Sequence, residues 1–156
     1  MKVQIIHSGE FKEAWLSSAF AEYTKRISAF CEVQDILIKE RPVTDMSHVE
    51  KALFEEGRDI LSKLDSRAYV IALCIEGKNI SSEDLASLFE KCKLDGYSTI
   101  SFIIGSSHGL SDEVKKRADF KLSFSKMTFP HQLMRVILSE QIYRAFSIIN
   151  GGKYHK

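Results

Sequence analysis

The stretch TISFIIGSSHGL, residues 99–110, decides the fold of this chain. Its first half, Thr99 to Ile104, is too apolar for a strand that keeps one face in water. It therefore predicts a strand buried on both faces near the centre of a parallel sheet. The second half begins at Gly105 and reaches Gly109, which predicts a tight turn leading from the strand into a helix.

On both sides of this stretch, segments of strand length alternate with segments of helical period. Because parallel strands are joined by crossovers, the alternation predicts an α/β fold, with a mostly parallel sheet carrying helices on both faces. We expect one domain over residues 1–156. The other predicted strands are Val3 to Ile6, Val33 to Ile38, Ala68 to Ile75 and Phe120 to Phe124.

Five helices are predicted from apolar spacing and capping signals. The first follows Ser8 and Gly9, and its predicted apolar positions are Trp15, Ala19, Tyr23, Ile27 and Phe30. The second begins at Ser47, which has the spacing of a capping box with Glu50, and runs to about Leu64. The other three run from about Ser81 to Leu94, Ser111 to Arg117 and His131 to Ile149.

Three loops follow the carboxyl ends of predicted strands. In doubly wound sheets ligands bind outside these ends, so we expect the loops to lie side by side around a ligand. They are Glu76 to Ile80, Gly105 to Gly109 and Ser125 to Pro130.

Composition narrows the class of protein. The chain is 44% hydrophobic and 28% charged, which is typical of a globular domain. The apolar run Leu133 to Ile149 contains Arg135, Glu140 and Arg144, charges that disfavour a membrane span. The N-terminus lacks the h-region of a signal peptide, so we expect a cytoplasmic protein.

Metal and disulfide chemistry have little support in the sequence. The three cysteines are widely spaced and form no C-x-x-C pair, which favours reduced thiols. The five histidines show no close pairing of the metal-binding kind, so we expect no metal.

Charge is distributed unevenly along the chain. Residues 1–113 contain 13 Lys or Arg and 19 Asp or Glu, whereas residues 114–156 contain 9 and 2. A basic segment of this kind suits the phosphate backbone of a nucleic acid. A solvated basic surface explains the same counts equally well.

Two short motifs flank the predicted ligand site, and each has two interpretations. The turn from Gly105 to Gly109 could let a ligand approach the backbone closely at the N-terminus of a helix, or it could serve only as a turn. Its spacing matches neither the dinucleotide nor the P-loop motif. His131 and Arg135 lie four residues apart at the start of the last helix, where they could orient a polar substrate. Alternatively, His131 only caps or packs.

The last predicted helix has almost no polar face. A helix that is apolar nearly all round is buried on more than one side, and the sheet can cover only one. We therefore predict a homodimer in which a second subunit covers the other side. Within the helix, Glu140 and Arg144 have the spacing of an ion pair.

The chain ends in GGKYHK, residues 151–156. By default such an end is a frayed tail. Its aromatic, imidazole and cationic side chains are nevertheless those that a flexible arm needs to stack on an RNA base, move a proton and contact phosphates.

Taken together, these residues closely resemble one family, the bacterial ribosomal RNA large subunit methyltransferase H of the SPOUT class. The resemblance covers the whole chain. It is carried by Met1 to Val3, Ile104, Gly105, Gly109, Leu122 to His131, Arg135, Tyr143 to Ala145 and Tyr154 to Lys156.

The resemblance implies a SPOUT domain with a C-terminal trefoil knot, a homodimer and the cofactor S-adenosylmethionine. The implied reaction is methylation of N3 of a pseudouridine in 23S ribosomal RNA, in the large subunit or the assembled ribosome. By position, the implied cofactor-binding residues are Leu73, Gly105, Phe124, Ser125, Lys126, Met127, Thr128 and Phe129. One departure is Ser106, where the family often has a second glycine.

We assign the remaining roles by chemistry. His155, Tyr154 and Arg144 are the candidate catalytic residues, with His155 as the proton-handling group. The candidate RNA-binding residues are Arg135, Lys153, Lys156 and His131. Two rivals are an RNA-binding factor without catalysis and a phosphate-ester hydrolase using His108, although the hydrolase would lack the usual carboxylates or metal ligands.

Overall fold

The chain folds around a single sheet of five parallel strands. The computed structural model describes all of residues 1–156. The strands are β1 (Lys2–Ser8), β2 (Glu32–Ile38), β3 (Tyr69–Lys78), β4 (Thr99–Ile104) and β5 (Phe120–Leu122), in the spatial order β2-β1-β4-β3-β5. The helices are α1 (Ala14–Ile27), α2 (Val49–Lys63), α3 (Ser82–Leu94), α4 (Asp112–Arg117) and α5 (His131–Ile149). The predicted α/β class is confirmed.

Strand β4 lies in the middle of the sheet, as its composition predicted. All six of its residues are buried, and it pairs in parallel with β1 on one side and β3 on the other. Its two faces contribute to separate cores. On one face, Ile100, Phe102 and Ile104 pack with apolar residues of α1, α3 and α5, while on the other Ile103 packs with residues of α2 and α4. Helices therefore cover both faces of the sheet.

Several predicted boundaries agree with the structure. The predicted bounds of β4 and α5 are those observed. Helix α3 begins with a capping box in which Ser81 and Asp84 each accept a hydrogen bond from the other's backbone N–H. It is followed by Gly96, whose φ of +85° belongs to the left-handed region that glycine tolerates.

Two helix predictions were wrong in detail. The second helix does not begin with a Ser47 cap, because Asp45 accepts the backbone hydrogen bond from Ser47 and starts a short 3-10 turn, Met46–His48, before α2. In α1 the buried residues are Leu16, Phe20 and Ile27, whereas Trp15 is 63% exposed. The prediction for α1 was therefore right for Ile27, but its other apolar positions lie next to the buried face of the helix and not on it.

The three cysteines are free thiols. Burial raises the pKa of Cys31 and of Cys92 to about 11, which disfavours the reactive thiolate at neutral pH. No helix has the length and apolar character that crossing a membrane requires. The trefoil knot implied by the resemblance stays a prediction.

Candidate cofactor and RNA site

A pocket opens at the carboxyl ends of β3, β4 and β5. Together with its open mouth it spans about 550 Å³. Its lining residues are Leu73, Cys74, Ile75, Ile104, Gly105, Leu122, Ser123, Phe124, Ser125, Met127, Thr128, Phe129, His131 and Met134. A wider depression at the amino ends of the strands contains none of the predicted site residues.

The pocket brings together seven of the eight residues predicted for the cofactor. Leu73 comes from β3, Gly105 follows β4, and the other five belong to the segment 124–129. The eighth, Lys126, is exposed and is not among the lining residues. Sequence reasoning missed Cys74, Ile75 and Met134, which carry no chemical signal beyond being apolar neighbours of predicted positions.

The glycine turn after β4 is packed against its own far end. A Cβ atom on Gly105 would lie 2.2 Å from the carbonyl oxygen of Gly109, so no larger residue fits there. The backbone of Ser106 pairs with Gly109, and it is Gly109, with a φ of +86°, that adopts the left-handed conformation. Ser106 has no positive φ, so a serine is compatible with this turn.

The loop from Ser123 to Phe129 is shaped by hydrogen bonds to serine. The Ser123 hydroxyl donates to the carbonyl oxygen of Ser125 at 3.0 Å, and the Ser125 hydroxyl accepts from the backbone N–H of Met127 at 2.9 Å. These bonds hold the segment in a turn and direct it along the pocket.

The predicted contribution of Glu76 to Ile80 to the pocket was wrong. Strand β3 continues to Lys78, whose carbonyl oxygen accepts from the backbone N–H of Ser123 at 3.0 Å. The amide of Asn79 donates to the carbonyl oxygen of Ser123 at 2.7 Å. This segment therefore supports the pocket loop from outside, and the pocket is lined instead by the preceding residues of β3.

His131 and Arg135 lie on the first turns of α5 but have different surroundings. His131 lines the pocket, its Nε2 is buried without a partner, and burial lowers its pKa. Arg135 is fully buried, and its Nη2 donates to the carbonyl oxygens of Ser8 and Gly9 at 2.7 Å each. The predicted RNA contact by Arg135 was therefore wrong, because its guanidinium is enclosed and bonded to the end of β1.

The chain end is folded back onto α5 and α3. The Tyr154 hydroxyl donates to Oε1 of Glu140 at 3.0 Å, and the same carboxylate pairs with Arg144. His155 lies 2.7 Å from Oε1 of Glu83 and 3.3 Å from Nη1 of Arg144. Burial and hydrogen bonding raise the pKa of Tyr154.

The three candidate catalytic residues thus form one cluster, which we call the tail cluster: Arg144, Tyr154 and His155. None of them lines the pocket of its own chain. The acidic partners Glu83 and Glu140 complete the cluster. Glu140 was recognisable from its spacing to Arg144, whereas nothing in the sequence connected Glu83 with a residue 72 positions later.

The remaining candidates are surface residues. Lys153 and Lys156 are exposed, as is Lys126 on the pocket loop. His108, the group on which the hydrolase interpretation depends, is exposed on the glycine turn and does not line the pocket.

Comparison with known proteins shows which family the sequence matches. A family model described as "Predicted SPOUT methyltransferase" matches residues 1–155. The proteins named "Ribosomal RNA large subunit methyltransferase H" from Clostridium botulinum and Leuconostoc mesenteroides are 46% and 48% identical to this chain, and each comparison covers all of both chains.

Two solved structures share the fold at low sequence identity. A probable methylase family protein from Haemophilus influenzae has a TM-score of 0.53 and 16% identity, over 99% of this chain and 70% of that one. A probable methyltransferase from Bordetella pertussis has a TM-score of 0.58 and 13% identity, over 92% and 93%. With a family match and close relatives that both span the whole sequence, this chain belongs to the SPOUT methyltransferase family.

Proposed function

We propose that this protein transfers the methyl group of S-adenosylmethionine to N3 of a pseudouridine in 23S ribosomal RNA of the large subunit or assembled ribosome. The observation that carries the proposal is the pocket at the ends of β3, β4 and β5. It lies in a chain whose full-length relatives bear the name of a large-subunit RNA methyltransferase.

The pocket fits a cofactor with a flat apolar ring and several polar groups. Leu73, Ile104, Leu122 and Phe124 supply apolar walls. Gly105 allows the close approach of a ligand to the backbone, since it has no side chain. The loop after β5 adds backbone and hydroxyl groups that can bind an adenine and a ribose.

Methyl transfer to a ring nitrogen makes two demands on the enzyme. The nitrogen must approach the sulfonium methyl group in line, so the correct positioning of base and cofactor supplies most of the rate enhancement. The imide proton must also leave, and a cation that stabilises the developing anion helps. In the tail cluster the guanidinium of Arg144 lies within hydrogen-bonding distance of the imidazole of His155 and packs over the ring of Tyr154. We assign the proton to His155 and the charge stabilisation to Arg144, with Tyr154 stacking against the base.

The exposed cations give the RNA a place to bind. Lys126 lies on the pocket loop, Lys153 and Lys156 lie in the tail, and all three residues are exposed. Contacts between lysines and phosphates release counterions, which makes such binding sensitive to salt. His131 at the pocket edge contributes to the same surface, whereas Arg135 does not.

We also propose that the protein acts as a homodimer, in the cytoplasm where ribosomes are methylated. Leu133 and Ile137 lie one turn apart on α5, are only half-buried, and belong to neither core. They neighbour His131 and Met134, which line the pocket. A two-fold interface across this face brings the partner's α5 and tail cluster to the pocket mouth, which the tail cluster of the same chain does not reach.

The function is tested by mass spectrometry of ribosomal RNA from cells that lack the protein. We expect the loss of one methyl group, on a pseudouridine of 23S RNA, and its return when the wild-type chain is supplied. An unchanged modification pattern would refute the proposal. Calorimetry with S-adenosylmethionine separates the rival, since an RNA-binding factor without catalysis binds none.

A further inference from the structure

His155 lies between a carboxylate and a guanidinium, and each of them contacts a different ring nitrogen. Nε2 lies 2.7 Å from Oε1 of Glu83, and Nδ1 lies 3.3 Å from Nη1 of Arg144. A guanidinium can only donate hydrogen bonds, and an ionised carboxylate can only accept them. The neutral imidazole therefore carries its proton on Nε2, which donates to Glu83, and keeps the lone pair of Nδ1 on the side of Arg144.

Glu83 has a fixed place on the first turn of α3. A capping box starts this helix. The hydroxyl of the neighbouring Ser82 donates to the side-chain oxygen of Gln141 on α5 at 2.6 Å, and the amide of Gln141 donates to Glu140 at 2.7 Å. Because Glu140 is also the partner of Arg144, one continuous set of hydrogen bonds joins the start of α3 to the tail cluster.

The contact between Glu83 and His155 is better explained by orientation than by stability. The side chain of Glu83 is 60% exposed and that of His155 is 28% exposed, and pairs this exposed contribute little to the free energy of folding. Hydrogen bonds from its own backbone N–H and from His155 lower the pKa of the Glu83 carboxyl, which keeps it ionised. A carboxylate that accepts from one nitrogen of a histidine fixes the tautomer and the direction of the ring.

The charges around His155 match this role. Glu140 neutralises Arg144, with which it forms two hydrogen bonds. Burial and hydrogen bonding raise the pKa of Tyr154, so its hydroxyl is neutral. Among these residues Glu83 is the one charge without a counter-charge, and it can stabilise the imidazolium that forms when His155 takes up a proton.

Nδ1 is the ring nitrogen that can be released to a substrate. Arg144 is held by Glu140 through Nε and Nη2, whereas its contact with Nδ1 is longer, at 3.3 Å, than the usual separation of about 3 Å. Loss of this long contact leaves Arg144 anchored and frees Nη1 to donate to a carbonyl oxygen of the base. An N–H group of the base can then take the place of the guanidinium beside Nδ1.

We propose that Glu83 is a positioning residue, which orients His155 so that Nδ1 accepts the proton from N3 of the target pseudouridine. This inference rests on the proposed function, because it assumes that His155 handles that proton. The N3–H bond breaks, and its proton binds Nδ1. The electron pair stays on N3 and forms the new bond to the methyl carbon, while the sulfur keeps the pair of the broken carbon–sulfur bond and becomes a neutral thioether. His155 later releases the proton to solvent.

The first test is a double-mutant cycle on the full-length protein, measured as single-turnover methylation of ribosomes from cells that lack the protein. At saturating cofactor, Glu83→Ala should lower the rate by about 10-fold, the order of magnitude found when metal-binding histidines lose a carboxylate partner. In the His155→Ala background the same change should have no further effect, because Glu83 acts through His155. Losses of equal size in the two backgrounds, or a wild-type rate in Glu83→Ala, would overturn the inference.

Two further variants separate orientation from a general effect on α3. Glu83→Gln keeps an oxygen that accepts from Nε2, so its rate should lie between those of the wild type and Glu83→Ala. Glu90→Ala removes an exposed carboxylate two turns later on the same helix and should leave the rate unchanged. All three variants should keep the wild-type affinity for S-adenosylmethionine and unfold close to the wild-type temperature, since neither side chain lines the pocket. A rate in Glu90→Ala as low as in Glu83→Ala would contradict the specific role.

A second test needs neither cofactor nor RNA. In protein labelled with ¹⁵N in histidine, NMR of the neutral His155 ring should show the proton on Nε2 and the lone pair on Nδ1, and His155→Ala identifies its signals. A proton on Nδ1 would overturn the inference, because that nitrogen could not accept another. If the wild-type protein transfers no methyl group, the proposed function fails and this inference fails with it.

Discussion

The hydroxyl of Tyr154 lies 3.0 Å from Oε1 of Glu140, the same carboxylate oxygen that pairs with Arg144. The Arg144 guanidinium in turn packs over the Tyr154 ring, 4.7 Å from its centre. Through these contacts a helical ion pair predicted from residue spacing becomes the anchor of the chain end. The tail therefore has a defined position from which to engage a substrate.

Glu140→Gln should loosen that anchor. The change removes the counter-charge of Arg144 and weakens the bond from Tyr154, so we expect a loss of about 1–2 kcal/mol of stability. Faster hydrogen exchange in residues 150–156 should accompany it. Glu22→Gln is the matched control, because Glu22 and Arg26 form an ion pair of the same spacing that is exposed. The control should leave stability and tail exchange unchanged. Equal effects of the two variants would contradict the anchoring role.

Gly105→Ala should abolish cofactor binding and destabilise the fold. The new methyl group would collide with the carbonyl of Gly109, and relief of such overpacking costs about 2–3 kcal/mol. Gly96→Ala, at a left-handed position with open space, should cost about 1 kcal/mol and leave binding intact. Chemical denaturation and calorimetry measure both effects. Normal affinity in Gly105→Ala would show that the ligand does not need this turn.

His155→Ala should slow methyl transfer without weakening the cofactor. If His155 handles the imide proton, its loss lowers the single-turnover rate on ribosomal substrate by on the order of 10²-fold. Because His155 does not line the pocket of its own chain, affinity for S-adenosylmethionine should be unchanged. A wild-type rate would remove His155 from catalysis.

The stability of the protein should fall in mild acid because of His131. Burial lowers its pKa below the ordinary 6.5, and nearby Arg135, Lys12 and His7 lower it further, while Glu40 acts in the opposite sense. Below pH 6.5 the unfolded chain binds a proton at this position more readily than the folded one, so stability decreases as pH falls through that value. Above it, both states are neutral and the contribution vanishes.

Thermal unfolding measured from about pH 7.5 to about pH 5.5, on both sides of the ordinary histidine pKa of about 6.5, checks this prediction. The loss should be smaller in His131→Gln than in the wild type. His108→Gln, at an exposed histidine, should behave like the wild type. Identical pH profiles for wild type and His131→Gln would contradict the assignment.

The sequence predicted the sheet and the pocket better than it predicted individual side chains. Apolar content located β4, and the resemblance to a family located seven of the pocket residues, because both depend on the order of the chain alone. The exposure of Trp15 and the burial of Arg135 depend on how α1 and α5 rotate against the sheet. Helical spacing constrains such rotations only to within part of a turn.

Contacts between residues far apart in the sequence could not be predicted either. The bond from His155 to Glu83 and the support of the pocket loop by Asn79 join segments that no local pattern connects. The hydrogen bonds from Arg135 of α5 to the carbonyl oxygens of Ser8 and Gly9 likewise depend on the placement of α5 beside the end of β1.

The central claim is that this pocket delivers a methyl group from S-adenosylmethionine to ribosomal RNA. Its most direct test supplies the purified protein with methyl-labelled cofactor and with ribosomes from cells that lack the protein. We predict label in 23S RNA, confined to N3 of a pseudouridine. Absence of label, or label in another RNA or in protein, would contradict it.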